Sequence, residues 1–246
     1  MAPNRRVRRA LILVTLPRTA AELARYIDHT LLAPEATQDE VFTLCRDAMA
    51  WNVAAVCISP SWLPLPSGTL AQVAGRDTTV KLCTVVGFPS GAHTTVTKAR
   101  EAVLAVECGA DEVDMVVNLG LVRDVRWSDI EAEVRGVRSA VDAARRGVVV
   151  KVICESAALS DDELRATCKA AVVGGADFLK TSTGFHKAGG ATERAVSIMR
   201  ETVGADIGVK ASGGIRTTDA ALAMIAAGAT RIGASATREI LAGMPS

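Results

Sequence analysis

The chain has 246 residues, 49% of them apolar, and is therefore long enough to bury a sizeable core in one α/β domain. Its formal net charge of +1 gives no electrostatic reason to predict binding to nucleic acid or to a membrane surface. The six cysteines form no C-x-x-C pair and fall mostly in apolar segments, which is typical of a reducing compartment and predicts a cytoplasmic protein. No apolar run reaches the roughly 20 residues that cross a bilayer.

The first residues of the chain are strongly basic. The segment "RRVRRALILVTLP" has the charged and apolar regions of a signal peptide, but its apolar run is short and no small-residue cleavage site follows. A helical pattern, "TAAELARYID", begins directly afterwards. We therefore predict a basic extension over residues 1–18 that leads into a short helix, and one domain over residues 19–246.

Apolar segments rich in β-branched residues then alternate with helical segments. The predicted strands cover residues 26–32, 53–59, 80–88, 112–119, 148–155, 178–183, 207–212 and 230–234. Helical segments such as "SDDELRATCKAAVVGGA" open with a residue that favours the N-cap and close at glycine. Eight strands that alternate with helices in about 250 residues predict a (β/α)₈ TIM barrel. A doubly wound open sheet is the alternative, because periodicity does not show closure.

Lysines occur unusually often inside the predicted strands. The chain has seven lysines against 21 arginines, and four of the seven lie in strand segments: Lys81, Lys151, Lys180 and Lys210. Helices cover the outer face of barrel strands, so these charges should face the interior near an open end. Lys81 begins its strand, which favours a structural role at the bottom of the barrel. Lys180 and Lys210 come late in their strands, at the end that carries the active sites of TIM barrels.

Acidic residues in the same strands could act with these lysines: Asp28, Glu112, Asp114 and Glu155. A lysine attacks a carbonyl as the neutral amine, which a nearby cation favours, and a carboxylate can move protons. The pattern predicts Schiff-base chemistry, and at this point the nucleophile stays open among Lys151, Lys180 and Lys210. A sugar-phosphate isomerase without a covalent intermediate and a non-catalytic sugar-phosphate sensor are the alternative functions. For any one lysine alone, a structural ion pair is an equal alternative.

Glycine-rich segments at the last two strands predict a phosphate site. The segments "ASGGIRT" and "RIGASA" supply Gly213, Gly214, Gly233 and Ser235, whose amides can approach an anion closely. A phosphate site after strands 7 and 8 is common in TIM barrels. We therefore predict that the substrate carries a phosphate group.

Several motifs together resemble the deoxyribose-phosphate aldolase family: "YIDHTLL", "AVCISP", "TVVGFPSGA", "DEVDMVVNLG", "VKVICES", "DFLKTSTGF", "VKASGGIRT" and "RIGASA". The resemblance covers most of the chain. It implies a class I aldolase that needs neither a metal nor another cofactor. Such an enzyme reversibly cleaves 2-deoxy-D-ribose 5-phosphate to D-glyceraldehyde 3-phosphate and acetaldehyde in deoxynucleoside catabolism. Enzymes of this kind commonly form symmetric homo-oligomers, so a dimer or tetramer is expected.

The resemblance also implies roles for individual residues. Lys180 is similar to the Schiff-base lysine of the family, and Asp114 and Lys210 are similar to its proton-transfer pair. Residues that match the family's phosphate-binding positions are Gly184, Gly214, Gly233 and Ser235. We assign a supporting network to Lys151, Asp28, Thr181 and Cys57. Some members carry two serines where this chain has Ser235 and Ala236, so one phosphate-binding hydroxyl is absent.

Overall fold

The computed structural model describes residues 15–66, 69–70 and 79–245 and contains a closed barrel of eight parallel strands. Each strand pairs with the next one along the chain, and the last strand pairs with the first. The strands are β1 (Ile27–Leu31), β2 (Ala55–Ile58), β3 (Lys81–Val86), β4 (Glu112–Val116), β5 (Val149–Ile153), β6 (Phe178–Lys180), β7 (Gly208–Ser212) and β8 (Arg231–Ala234). The predicted TIM barrel is confirmed, and the open-sheet alternative is wrong.

Helices cover the outside of the barrel. Their bounds are α1 (Ala20–Ala24), α2 (Gln38–Trp51), α3 (Thr95–Glu107), α4 (Leu119–Arg123), α5 (Trp127–Ala144), α6 (Asp161–Val173), α7 (Glu193–Val203), α8 (Thr218–Ala226) and α9 (Thr237–Ala242). Capping side chains explain where several of them begin. Thr37 and Ser160 each form a reciprocal capping box with the glutamate three residues later, which satisfies backbone N–H groups that have no partner inside the helix.

Several strands end earlier than predicted. The prediction extended the sixth strand through residue 183, whereas β6 ends at Lys180. It extended the third through residue 88, but Gly87 has a φ of 62°, which takes the backbone out of the extended conformation after β3. It extended the fourth through residue 119, but the side chain of Asn118 accepts a hydrogen bond from the amide of Gly120 and begins α4. The apolar pattern continues past these points because loop residues such as Val117 and Phe88 also pack against the buried clusters.

Alternation along the strands divides buried residues into two groups. Outward-facing residues such as Val113, Val152 and Leu179 pack under the helices in the main core. A small second cluster fills part of the barrel interior and contains Ala55, Cys57, Cys83 and Val85 of β2 and β3. Much of the remaining interior consists of charged side chains from the other strands. The apolar core therefore stabilises the barrel from outside, and the polar interior is available for chemistry.

The beginning of the described chain is tied to its end. Helix α1 leads directly into β1, and the amide of Ala20 donates to the carbonyl oxygen of Pro245 at 3.0 Å. The predicted basic extension over residues 1–18 falls almost entirely outside the described residues, so its boundary stays a prediction. Among the described residues, no helix has both the length and the apolar character that a membrane crossing requires.

Candidate active site

Strand register brings charged side chains together inside the barrel. Asp114 on β4 is the direct neighbour of Lys151 on β5, and Lys180 on β6 is the direct neighbour of Lys210 on β7. Because side chains alternate along a strand, these four residues share the interior face. The sequence pattern showed that each of them could face inward, and the register decides which of them meet.

Asp114 lies at the centre of this group. Its Oδ1 atom is 2.8 Å from Nζ of Lys151, and its Oδ2 atom is 2.9 Å from Nζ of Lys180 and 2.8 Å from Nζ of Lys210. All four side chains are buried. One carboxylate therefore contacts all three lysines that the sequence left open as the nucleophile.

Two further carboxylates and an arginine complete the network. Asp28 hydrogen-bonds to Lys210 and lies 2.6 Å from the guanidinium of Arg231. Glu112 lies 2.5 Å from Lys151 and 3.3 Å from Arg231. Lys151, Lys210 and Arg231 therefore each contact at least two carboxylates. Lys180, in contrast, contacts only Asp114 among the carboxylates of the described residues.

The charges in this network are unequal in number. Three carboxylates, from Asp28, Glu112 and Asp114, face four basic side chains, from Lys151, Lys180, Lys210 and Arg231. Burying an unpaired charge is costly, whereas a matched set of charges is tolerated. The other three cations already balance the three carboxylates. The network therefore does not require a charge on Lys180.

The surroundings fix the protonation states of two other members. Burial alone would raise the pKa of Asp114, but Lys151, Lys180 and Lys210 outweigh it and hold that pKa well below its ordinary value. Burial alone would lower the pKa of Lys210, but the carboxylates of Asp114 and Asp28 raise it above its ordinary value. In the resting protein Asp114 is thus an unprotonated carboxylate, and Lys210 is a protonated ammonium group.

Only one of the three lysines lines the cavity at the carboxyl ends of the strands. This cavity has a volume of about 390 Å³ and is bordered by the loops after β1, β6, β7 and β8. Lys180 lines it, whereas Lys151 and Lys210 do not. Lys180 also has the most exposed side chain of the three, with 3% of its surface exposed against 1% for Lys210 and 0% for Lys151. A ligand that enters from the cavity therefore meets Lys180 first.

The residues predicted to bind phosphate also border this cavity: Gly184, Gly213, Gly214, Gly233 and Ser235. Within the described chain, the amides of Gly184, Gly214 and Ser235 donate to no protein acceptor. Such amides can bind an anion. Gly233 has a second reason to lack a side chain, because a Cβ atom there would lie 3.0 Å from Cε of Lys210. Glycine thus leaves room for the buried lysine.

The sequence matches the family described as DeoC/LacD family aldolase over residues 23–243. The chain belongs to this family. A relative from Kocuria rhizophila named deoxyribose-phosphate aldolase is 54% identical, over 93% of this chain and 99% of its own. A second relative of that name, from Corynebacterium diphtheriae, is 52% identical, over 91% of this chain and 97% of its own. The resemblance found in the motifs is therefore confirmed.

A solved structure of an aldolase agrees with the fold. The deoxyribose phosphate aldolase from Aeropyrum pernix, whose tetrameric structure is described as unique, superimposes with a TM-score of 0.81 at 34% identity. The alignment covers 91% of this chain and 91% of that one. This aldolase therefore has the same barrel architecture as a solved relative.

The predicted supporting residues occupy different positions in the aldolase. Lys151 and Asp28 belong to the charged network. The neighbouring Cys83 thiol lowers the pKa of the Cys57 thiol, but it is the sulfur of Cys83 that lies 3.3 Å from the Asp114 carboxylate. Thr181 lies outside this network, because its hydroxyl donates to the backbone carbonyl of Ser212 on β7 at 3.1 Å. Its contact is with the neighbouring strand.

A metal ion at this site would have to compete with lysine side chains for the Asp114 carboxylate. The sulfurs of Cys57 and Cys83 and a carboxylate oxygen of Asp114 lie within 4.8 Å of one another, which is close enough to surround a small ion. Both oxygens of Asp114 are, however, already bonded to ammonium groups, Oδ1 to that of Lys151 and Oδ2 to that of Lys210. An ion would have to displace these contacts and enter a network whose cations already outnumber its carboxylates.

Two cations at the site of the aldolase, Arg231 and Arg216, were not among the predicted site residues. Arg231 is the first residue of β8, just as the exposed Lys81 is the first residue of β3. In the strand register, however, Arg231 is the neighbour of Lys210. Arg216 follows the paired glycines of "ASGGIRT" and lines the cavity. The motif around Arg216 was noted for its glycines alone, and a cation directly after them was the available signal.

Proposed function

We propose that this aldolase reversibly cleaves 2-deoxy-D-ribose 5-phosphate to D-glyceraldehyde 3-phosphate and acetaldehyde through a Schiff base on Lys180. Relatives at 54% and 52% identity carry the name deoxyribose-phosphate aldolase, and they support the substrate. The observation that carries the mechanism is the position of Lys180, which lines the cavity and touches one carboxylate at 2.9 Å. Of the three candidate lysines it alone combines access from the cavity with no need for a positive charge.

The proposed reaction begins at the aldehyde carbon of the open-chain sugar. The neutral amine of Lys180 adds to this carbon, and the carbinolamine takes up a proton on its hydroxyl group and loses water to give a protonated imine. Lys210, an ammonium group at rest, is suited to protonate the departing hydroxyl group. Asp114, a carboxylate at rest, is suited to accept the protons that the amine and later the C3 hydroxyl release.

Carbon–carbon cleavage follows from the imine. When the C3 hydroxyl loses its proton, the C2–C3 bond breaks, glyceraldehyde 3-phosphate leaves and the electron pair remains as an enamine on Lys180. Protonation of the enamine carbon and addition of water then release acetaldehyde and restore the amine. No oxidant or reductant is needed, because every electron pair stays within the substrate and the lysine.

The phosphate group of the substrate is proposed to bind at the rim of the cavity. The free amides of Gly184, Gly214 and Ser235 and the nearby Arg216 support this proposal. A phosphate held at the rim would leave the aldehyde end of the sugar to reach Lys180 deeper in the cavity. The site would thus recognise one end of the substrate and react with the other.

We also propose a cytoplasmic homo-oligomer. All six cysteines are unpaired, which supports a reducing compartment. The tetramer described for the Aeropyrum pernix enzyme, at 34% identity, supports assembly of several copies. No observation favours the isomerase or the sensor over the aldolase. Neither alternative accounts for a carboxylate shared by three lysines, one of which is open to the cavity.

Product analysis tests this function. Purified protein incubated with 2-deoxyribose 5-phosphate should release acetaldehyde and glyceraldehyde 3-phosphate in equal amounts, and Lys180→Ala should abolish both products. The matched control is Lys81→Ala, because Lys81 is an exposed lysine at the start of β3. An isomeric sugar phosphate without free acetaldehyde would support the isomerase, and an unchanged substrate would support the sensor.

A further inference from the structure

Glu155 is a buried carboxylate that the proposed reaction does not use. It follows β5, and only 1% of its surface is exposed. Four other buried carboxylates each contact a cationic side chain: Asp28, Glu112, Asp114 and Glu133. In the part of the chain that the structure describes, Glu155 has no such partner. A buried carboxylate without a cation needs several hydrogen bonds. The residues that donate these bonds to Glu155 are the residues whose positions it fixes.

Among the described residues, Thr183 in the loop after β6 supplies all the hydrogen bonds to the Glu155 carboxylate. The amide of Thr183 donates to both carboxylate oxygens, at 3.2 and 3.3 Å, and its hydroxyl donates to Oε2 at 2.5 Å. The same hydroxyl accepts from the amide of Phe185 at 3.1 Å. Glu155 therefore fixes Thr183 directly and fixes Phe185 through the threonine hydroxyl.

The backbone of Glu155 supports a specialised role. Its φ of 55° lies in the left-handed region, which a residue with a side chain adopts only at a cost in free energy. Such residues persist where the surrounding contacts compensate for the strain, and they cluster at functional sites. Here Thr183 supplies the compensating contacts.

The segment held by Glu155 forms one wall of the cavity. Thr183, Gly184 and Phe185 all line the cavity, three to five positions after the proposed nucleophile Lys180. Because both the amide and the hydroxyl of Thr183 are directed at Glu155, the donor left for a ligand is the amide of Gly184. We infer that Glu155 is a positioning residue that aims the Gly184 amide at the substrate phosphate and so determines selectivity for phosphorylated sugars. The inference rests on the proposed function.

Replacement by glutamine should disturb this arrangement with little change in size. A carboxylate only accepts hydrogen bonds, whereas a glutamine side chain brings an NH₂ group to face the donors of Thr183. We expect Glu155→Gln to raise KM for 2-deoxyribose 5-phosphate about tenfold, the equivalent of one well-placed hydrogen bond to a charged group. The value of kcat should change by less than about threefold, and kcat/KM for unphosphorylated 2-deoxyribose should fall much less. The decisive readout is the ratio of kcat/KM for the two sugars.

Two sets of controls separate positioning from general stability. Glu133→Gln alters another buried carboxylate, which is paired with Lys98 and is absent from the cavity lining, so it should leave the ratio unchanged. Thr183→Val removes the hydroxyl and should lower the ratio as Glu155→Gln does, whereas Thr183→Ser keeps the hydroxyl and should restore it. If Glu155→Gln does not fold, the comparison between valine and serine at position 183 decides by itself.

The outcomes distinguish this inference from the proposed function. Wild-type protein that cleaves neither sugar contradicts the function. Wild-type protein that cleaves both, with an unchanged ratio in Glu155→Gln or with no difference between Thr183→Val and Thr183→Ser, contradicts the positioning role alone. An equal loss on both sugars would make Glu155 a structural residue. A loss confined to the phosphorylated sugar supports the inference.

Discussion

Replacing single lysines by methionine should separate the nucleophile from the structural ion pairs. Methionine has a similar length but no charge, so Lys180→Met removes the basic group and largely keeps the packing. Asp114 would retain Lys151 at 2.8 Å and Lys210 at 2.8 Å, and three cations would balance three carboxylates. We therefore expect the free energy of unfolding to change by no more than about 1 kcal/mol.

Lys151→Met is the matched variant with the opposite expectation. Lys151 contacts Glu112 at 2.5 Å and Asp114 at 2.8 Å, and its loss would leave Glu112 with Arg231 at 3.3 Å as its partner. Breaking a buried pair by removing one partner typically costs about 3–5 kcal/mol. In a protein of this size, each kcal/mol lowers Tm by about 2–4 °C, so the expected decrease is about 6–20 °C.

Thermal unfolding of both variants at pH 7, together with their aldolase activity, measures the difference. Lys180→Met should lose activity and keep Tm within about 4 °C of the wild type. Lys151→Met should unfold at a clearly lower temperature. If Lys180→Met loses as much stability as Lys151→Met, Lys180 is a structural member of the ion-pair network, and the charge argument is wrong.

Three further predictions concern the other site residues. Asp114→Asn should lower kcat by about 10² to 10⁴, the usual contribution of a general acid or base, with little change in KM, and a decrease below about tenfold would exclude proton transfer by Asp114. Ser235→Asp should raise KM for 2-deoxyribose 5-phosphate by like-charge repulsion and spare unphosphorylated 2-deoxyribose, whereas equal losses would exclude a phosphate role. Lys210→Leu should slow turnover and move imine formation to higher pH, because a neighbouring cation favours a neutral amine. Lys210→Arg keeps the charge but cannot donate its proton, so it should form the imine near the wild-type pH and still turn over slowly; the wild-type pH dependence of imine formation in both variants would assign the tuning to another cation.

The barrel could be predicted because its signal is local. Each strand is a short apolar segment between capped helices, and lysines inside such segments can only face the interior. Closure itself was not visible in the pattern, because hydrogen bonding between β1 and β8 joins residues about two hundred positions apart. The ends of the strands were also placed too late, because the residues that stop pairing, such as Gly87, act through backbone conformation and leave the apolar pattern intact.

Schiff-base chemistry could be predicted from the sequence, but the choice of the nucleophilic lysine required the three-dimensional structure. Spacing alone gave three equivalent lysines, whereas cavity access and the number of carboxylate contacts distinguish Lys180. Arg231 was not predicted as a site residue, because a charged residue at the start of a barrel strand usually has a structural role. Its long side chain nevertheless reaches Asp28. The bond between Glu155 and Thr183 joins two loops and has no sequence signal, apart from an acidic residue at the end of a predicted strand.

Reductive trapping tests the central claim most directly. The protein is incubated with acetaldehyde and borohydride, digested, and mapped by peptide mass. The account predicts one ethyl group per chain on Lys180, with no label in Lys180→Ala and an unchanged label in the exposed-lysine control Lys81→Ala. A label on Lys151 or Lys210 instead, or no label on any lysine of a protein that still cleaves 2-deoxyribose 5-phosphate, would contradict a Schiff base at Lys180.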